Sequence, residues 1–100
     1  MRHWHNESTK QLCAALLSLE TPEECCAFLE DICTIKEFLE LSQRLEVARL
    51  LQSGASYTAI TKATGASTAT ISRVSKCCEY GSGGYRTVIE RLNQEDSNHG

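Results

Sequence analysis

Eight residues between positions 58 and 76 have the side-chain types that meet a nucleic-acid duplex: Thr58, Lys62, Ser67, Thr68, Ala69, Ser72, Arg73 and Lys76. The cations would neutralise phosphates, and the hydroxyls would hydrogen-bond to phosphate oxygens or base edges. Ala69 is small enough to let a helix backbone approach the groove. Residues 47–78 contain Arg49, Lys62, Arg73 and Lys76 and no acid. The flanks are acidic, with nine acids to four bases over residues 1–46 and four to two over 79–100, so the basic window sits inside a chain of net charge -3. Phosphate repels carboxylates, so an acid-free stretch is the electrostatic condition for such a contact. Four charges on a solvated helix face have the same composition, and charge alone leaves both readings open.

The second set with intrinsic chemistry is the six cysteines, Cys13, Cys25, Cys26, Cys33, Cys77 and Cys78. An even number in a short chain suits a disulfide framework. Their surroundings are apolar and helical, however. Four of them form the adjacent pairs Cys25-Cys26 and Cys77-Cys78, and no Cys-x-x-Cys spacing occurs. His3, His5 and His99 lie at chain ends that are expected to fray, away from any zinc-type cluster. The expectation is reduced thiols packed as small hydrophobes, with no metal and no cofactor. The alternative is a cysteine-based redox or metal sensor, which requires exposed thiols of low pKa.

An enzyme is not expected. The chain has no nucleophile, base and orienting group in a recognisable set. Tyr80-Gly81-Ser82-Gly83-Gly84-Tyr85 is not followed by Lys-Ser/Thr, so it reads as a connection rather than a phosphate cradle. No apolar run approaches the ~20 residues of a membrane-spanning helix, and the start, Met1-Arg2-His3-Trp4-His5-Asn6, lacks a secretory signal. A single cytoplasmic domain over residues 1–100 is expected, with no membrane contact.

The elements that must position these residues are helices. The chain is 41% hydrophobic and 23% charged, with one proline and six glycines, too little turn material for an all-β domain. Leu12, Cys13, Leu16 and Leu17 mark a first helix that stops near Glu20. Thr21-Pro22-Glu23-Glu24 is an N-cap, a first-turn proline and a capping-box glutamate. The helix that follows lines up Cys25, Phe28, Leu29, Ile32 and Cys33. Thr34-Ile35-Lys36-Glu37 repeats the box and opens the longest helix, which runs to Ser53 before Gly54. Its apolar residues, Ile35, Phe38, Leu39, Leu41, Leu45, Val47, Ala48, Leu50 and Leu51, cover most of the circumference. Such a helix must be covered on several sides, either at the centre of a small bundle or between two chains, and the second is favoured. A last helix is expected from Tyr85 to about Gln94, then a disordered tail from Glu95 to Gly100.

Residues 57–77 read as a helix-turn-helix. Two short helical patterns flank Gly65, which enters the left-handed region without strain. Ile60 is placed to pack against Ile71 and Val74, and Ser67 to cap the second helix. The exposed side of that helix is then Thr68, Ala69, Ser72, Arg73 and Lys76, which suits entry into a major groove. A plain helical hairpin would also be polar outside, and a helix-turn-helix that binds protein instead of DNA remains the alternative function.

Leu41-Ser42-Gln43-Arg44-Leu45-Glu46-Val47-Ala48-Arg49-Leu50-Leu51, with Gly54 and Gly65-Ala66-Ser67-Thr68-Ala69-Thr70-Ile71-Ser72-Arg73, resembles the Trp repressor superfamily. Within it the runs Arg44–Arg49 and Thr64–Arg73, with Glu23-Glu24-Cys25 and Asp31–Ile35 upstream, look like the YerC/YecD branch. The resemblance spans about residues 9–93. It implies an all-α fold of six helices and an intertwined homodimer, with dimerisation helices at about 8–53 and 84–94. It also implies a sequence-specific transcriptional regulator, of the repressor type, whose helix-turn-helix binds a near-palindromic operator in double-stranded DNA. In the Trp repressor two arginines frame bound tryptophan, and Arg44 and Arg73 look like their counterparts. A glycine follows the second arginine there; here it is Val74, whose branched side chain would fill the slot. L-tryptophan is therefore not expected as corepressor. Arg44 and Arg73 then serve a different effector, a salt bridge with Glu46 or Glu79, or DNA phosphates.

Overall fold

The computed structural model describes residues 5–99, with side chains described for 5–95. Six helices follow in order: α1 (Glu7–Leu17), α2 (Pro22–Ile32), α3 (Ile35–Gln52), α4 (Tyr57–Thr64), α5 (Thr68–Tyr80) and α6 (Gly84–His99). None is long and apolar enough to cross a membrane.

Local hydrogen bonding explains where the helices begin and end. Asn6 caps α1 and closes a box with Thr9: the Thr9 N–H donates to Asn6 Oδ1 at 3.0 Å, and the Asn6 N–H to Thr9 Oγ1 at 2.8 Å. Thr34 and Glu37 form the expected box before α3, with bonds of 2.9 and 3.1 Å. At α2 the expectation holds in part. Thr21 Oγ1 accepts from the Glu24 N–H, but the Glu24 carboxylate reaches past the cap to the Glu20 N–H at 2.8 Å. It satisfies the donor one residue upstream, so the chain is pinned on its way into the helix. At the far end of α3, Gly54 takes φ +89. The Gly54 N–H donates to Leu51 O and the Ala55 N–H to Leu50 O, both at 3.1 Å, which is the paired bonding of a Schellman stop.

The chain divides into two compact units, the first ending at Phe38 and the second beginning at Leu39. In the first, no side chain of α1 or α2 is buried, and Leu17 and Ile35 are 86% and 82% exposed. The second has the core: Val47 and Ala48 from α3, Ile60 from α4, Ala66, Ile71 and Val74 from the turn and α5, and Ile89 from α6. Leu45, Leu50, Leu51, Ala55, Cys78 and Tyr85 pack around it. Each fully buried aliphatic side chain of this set contributes about 1.5–3 kcal/mol.

Two expectations require correction. The cysteines are not core hydrophobes of the single chain: Cys13, Cys25, Cys26 and Cys77 are exposed, and Cys33 and Cys78 are half-buried. Apolar neighbours in sequence do not bury a residue when the helices that hold it, α1 and α2, bury nothing themselves. The segment from Glu95, expected to be disordered, is helical to His99, because no proline or glycine interrupts the pattern after Gly84. Of the expected frayed histidines, His3 lies outside the described residues, as does Gly100 of the tail. α3, expected to need cover on several sides, buries only Val47 and Ala48 within the single chain, and its Leu39 and Leu41 are 64% and 46% exposed.

Candidate nucleic-acid interface

The expected helix-turn-helix is built by α4, a three-residue turn and α5. Ser56 opens α4 by accepting the Ala59 N–H at 3.1 Å. Gly65 closes it in the left-handed region, φ 75 and ψ 4, with its N–H donating to Thr61 O at 2.8 Å. A Cβ at Gly65 would meet nothing within 4 Å, so the demand for glycine there is conformational and not steric. Ala66 follows, 2% exposed, and its N–H donates to Thr64 Oγ1 at 3.1 Å. Ser67 caps α5: its Oγ accepts the Thr70 N–H and donates to Thr70 Oγ1, both at 3.1 Å.

Two sides of α5 have opposite fates. Ile71 and Val74 are 0% and 1% exposed, in one core with Ile60 at 0%. Thr68, Ala69, Ser72, Arg73 and Lys76 are exposed and recur at the spacing of a single helix face. Thr58 and Lys62 are exposed on α4, and Ser67 is exposed in the turn. The α5 face therefore brings together five of the eight expected contact residues, two of them cations, and exposed Glu79 continues the same face one turn beyond Ser75, outside the acid-free window. Arg49, the remaining cation of the acid-free window, lies elsewhere: it is half-buried and lines a hollow of about 320 Å³ with Glu46, Leu50 and Ile89.

The second expected group, Arg44, Arg73 and Val74, is distributed differently. Val74 belongs to the core, Arg73 is exposed, and Arg44 is half-buried on α3. Among the described residues neither arginine makes an ion pair, to Glu46, Glu79 or any other carboxylate. The Arg44 charge is felt by Tyr85, whose phenol is held above its ordinary pKa by burial, then by nearby Cys77, with Arg44 opposing both. Cys78 is likewise pushed up, by burial first and Cys77 next, with Arg86 opposing. No group of three His, Cys, Asp or Glu among the described residues could hold a metal ion.

Two supporting features escape a reading of the sequence. Ser56 could have been found, since a serine before a short helical pattern is a standard cap signal. The other has no local signal: Gln43 on α3 donates from Nε2 to the backbone carbonyl of Thr64 at 3.1 Å, across 21 residues of chain.

With this geometry in place, the chain compares with known proteins as follows. The profile of the family described as "Trp repressor protein" matches residues 7–93. YerC of Bacillus subtilis (strain 168) is 48% identical over 87 residues, which cover 87% of this chain and 84% of YerC. The crystal structure of a TrpR-like protein from Eubacterium eligens superposes with a TM-score of 0.89 at 47% identity, over 93% of this chain and 96% of the other. A Trp repressor candidate from Staphylococcus aureus superposes at 0.88 with 40% identity, over 92% of each chain.

Proposed function

The chain belongs to the Trp repressor family, in a YerC-like branch, and from that premise we propose that it is a transcriptional repressor that binds a near-palindromic operator as an intertwined homodimer. Membership establishes an all-α, helix-turn-helix family of DNA-binding regulators. The observation that carries the finer reading is the α5 face: Thr68, Ala69, Ser72, Arg73 and Lys76 stand exposed over a core of Ile60, Ala66, Ile71 and Val74. A rigid apolar underside holds the helix while short hydroxyls near its N-terminus let it enter a major groove, and cations further along meet phosphate.

What one chain leaves uncovered supports the homodimer. Leu17, Ile32, Ile35 and Leu39 are each more than half exposed, on helices with little or nothing buried. Water contact with so much aliphatic surface is unfavourable, and a second copy supplies cover of matching chemistry. A symmetric dimer presents two α5 helices about 34 Å apart, one per half-site, which is why the operator is a near-palindrome.

L-tryptophan is not the corepressor in this reading, because Val74 stands where the Trp repressor has the glycine beside the indole. Calorimetric titration with millimolar tryptophan should give no binding heat, and a micromolar site would defeat the idea. A cysteine-based sensor is the weaker reading at Cys78, whose thiol burial pushes above its ordinary pKa, the opposite of what a sensor thiol requires.

The deciding experiment is selection of bound sequences from random duplexes by the purified protein at low salt. Enrichment of a two-fold symmetric site is expected. No enrichment would favour a helix-turn-helix that binds another protein.

A further inference from the structure

We infer that Gln43 is a positioning residue for DNA reading: its side-chain amide fixes the end of α4, and through the turn fixes the direction of α5. The inference rests on the operator-binding function proposed above and adds a residue that lies on neither helix of the reading head.

The geometry is a chain of hydrogen bonds around one residue, Thr64. Its backbone carbonyl accepts from Gln43 Nε2 at 3.1 Å. Its hydroxyl donates to Ile60 O at 2.8 Å and accepts from the Ala66 N–H at 3.1 Å. All three bonds are partly buried, where water competes less well for the partners. The carbonyls of a last helical turn have no intrahelical donor, so a side chain from another element can hold the helix end in place. Cap bonds elsewhere in the chain join residues three or four apart and act within their own helix. Gln43 instead ties α3 to α4 across 21 residues.

The location gives the bond leverage. Thr64 is the last residue of α4, and only Gly65, Ala66 and Ser67 separate it from Thr68, the first residue of α5. Gly65 is the most permissive residue type in the turn, so the turn's own backbone does not define a single angle. Ala66 sets one side of that angle through its burial and its bond to Thr64, and Gln43 sets where Thr64 itself stands. A displaced Thr64 would swing α5 as a rigid body. Ser72 and Lys76, further along that helix, would then miss the base edges and phosphates they meet. Loss of this bond therefore costs operator recognition more than it costs folding, and more than it costs sequence-independent attraction to phosphate.

The test compares Gln43→Met, which keeps length and packing but has no donor, with Gln43→Glu, whose carboxylate would face the Thr64 carbonyl as acceptor to acceptor. The quantity read is the ratio of affinity for the selected operator to affinity for a scrambled duplex at one salt concentration, with the thermal midpoint alongside. Losing one net hydrogen bond should lower the ratio about fivefold in Gln43→Met, with little change in midpoint or in scrambled-duplex affinity. Gln43→Glu should lower the ratio further at neutral pH and recover on mild acidification, as the protonated carboxyl regains a donor; the wild-type ratio should not follow pH in this way. An unchanged ratio in Gln43→Met overturns the assignment, as does parallel loss on both duplexes with a fallen midpoint, which would mark a purely structural residue. Failure of the wild-type protein to select any operator overturns the function beneath it instead, and the two failures are read from different proteins.

Discussion

At the scale of single residues, the proposed contact face separates into groups that should fail differently. Lys62 and Lys76 are exposed cations on α4 and α5 that make no ion pair among the described residues. Replacing either with alanine should weaken binding to all duplexes alike and, with two copies per dimer, reduce the salt slope of log affinity by about two units. Thr68→Val and Ser72→Ala should instead change the order of preference among operators and leave the slope alone. Filter-binding or anisotropy titrations across a salt series distinguish the two. Preference following Lys76 and uniform loss following Thr68 would mean that α5 is docked the wrong way round. A separate residue-scale effect concerns alkaline stability. Cys78 and Tyr85 have folded pKa values raised above 9.0 and 10.0, chiefly by burial. The folded state thus holds their protons more tightly, and that contribution is complete below pH 9.0 and lost as pH rises through the folded values. Urea midpoints should fall through this alkaline range, and Cys78→Ala should delay the fall toward the tyrosine's range. A wild-type midpoint that stays flat there would contradict the burial argument.

At the scale of elements, the reading head depends on how α4 and α5 are joined. Gly65 sits at φ 75 with open space where a Cβ would be, so Gly65→Ala adds no clash and should cost about 1–2 kcal/mol from the left-handed backbone alone. Equilibrium urea unfolding measures this, and a neutral or stabilising result would show that the turn relaxes away from the left-handed region. Ser67 caps α5 and is also one of the proposed DNA contacts, and a single substitution can separate the two. Its hydroxyl is committed to Thr70, accepting from the amide and donating to the side-chain oxygen. Ser67→Ala should therefore cost about 1 kcal/mol of stability as a lost N-cap, whereas Ser67→Asp keeps the cap and brings a negative charge toward phosphate. Wild-type-like stability with weakened DNA binding is expected for Ser67→Asp; undiminished DNA binding would remove Ser67 from the interface and leave it as a cap only.

At the scale of the whole molecule, the single chain leaves large apolar side chains such as Leu17, Ile35 and Leu39 exposed. Its buried core is confined to the second of its two compact units, while α1 and α2 bury no side chain. Association as proposed should bury more than the roughly 2,000 Å² at which obligate interfaces begin. Unfolding and dissociation should then form one transition whose midpoint rises with protein concentration. Sedimentation at the same concentrations should give twice the chain mass, and a monomer mass with a concentration-independent midpoint would exclude the dimer. The cysteines belong to the same scale. Cys13, Cys25 and Cys26 are exposed on α1 and α2 in one chain, and association through those helices would lower their access to a thiol reagent.

What was legible in the sequence is what neighbouring residues decide between themselves. Thr34 and Glu37, Ser67 and Thr70, and Gly54 and Gly65 satisfy or release backbone groups within four positions, so residue type and spacing are enough to place the helix ends. The α5 face was legible for the same reason: a helix repeats its faces every 3.6 residues, and Ile71 and Val74 cannot point inward without turning Thr68, Ser72 and Lys76 outward. Other features were decided only when the chain folded back on itself. Arg49 belongs to the acid-free window in sequence but lines a hollow with Glu46. Four of the six cysteines sit in apolar runs yet are exposed, because burial depends on which helix lies across from them and not on their own neighbours. Gln43 reads as an ordinary polar residue of a long helix, and nothing within a turn of it shows that the carbonyl it meets is 21 residues away. Hydrogen bonds between distant elements cost chain entropy that only the assembled core offsets, so they are properties of the tertiary structure and leave no local trace.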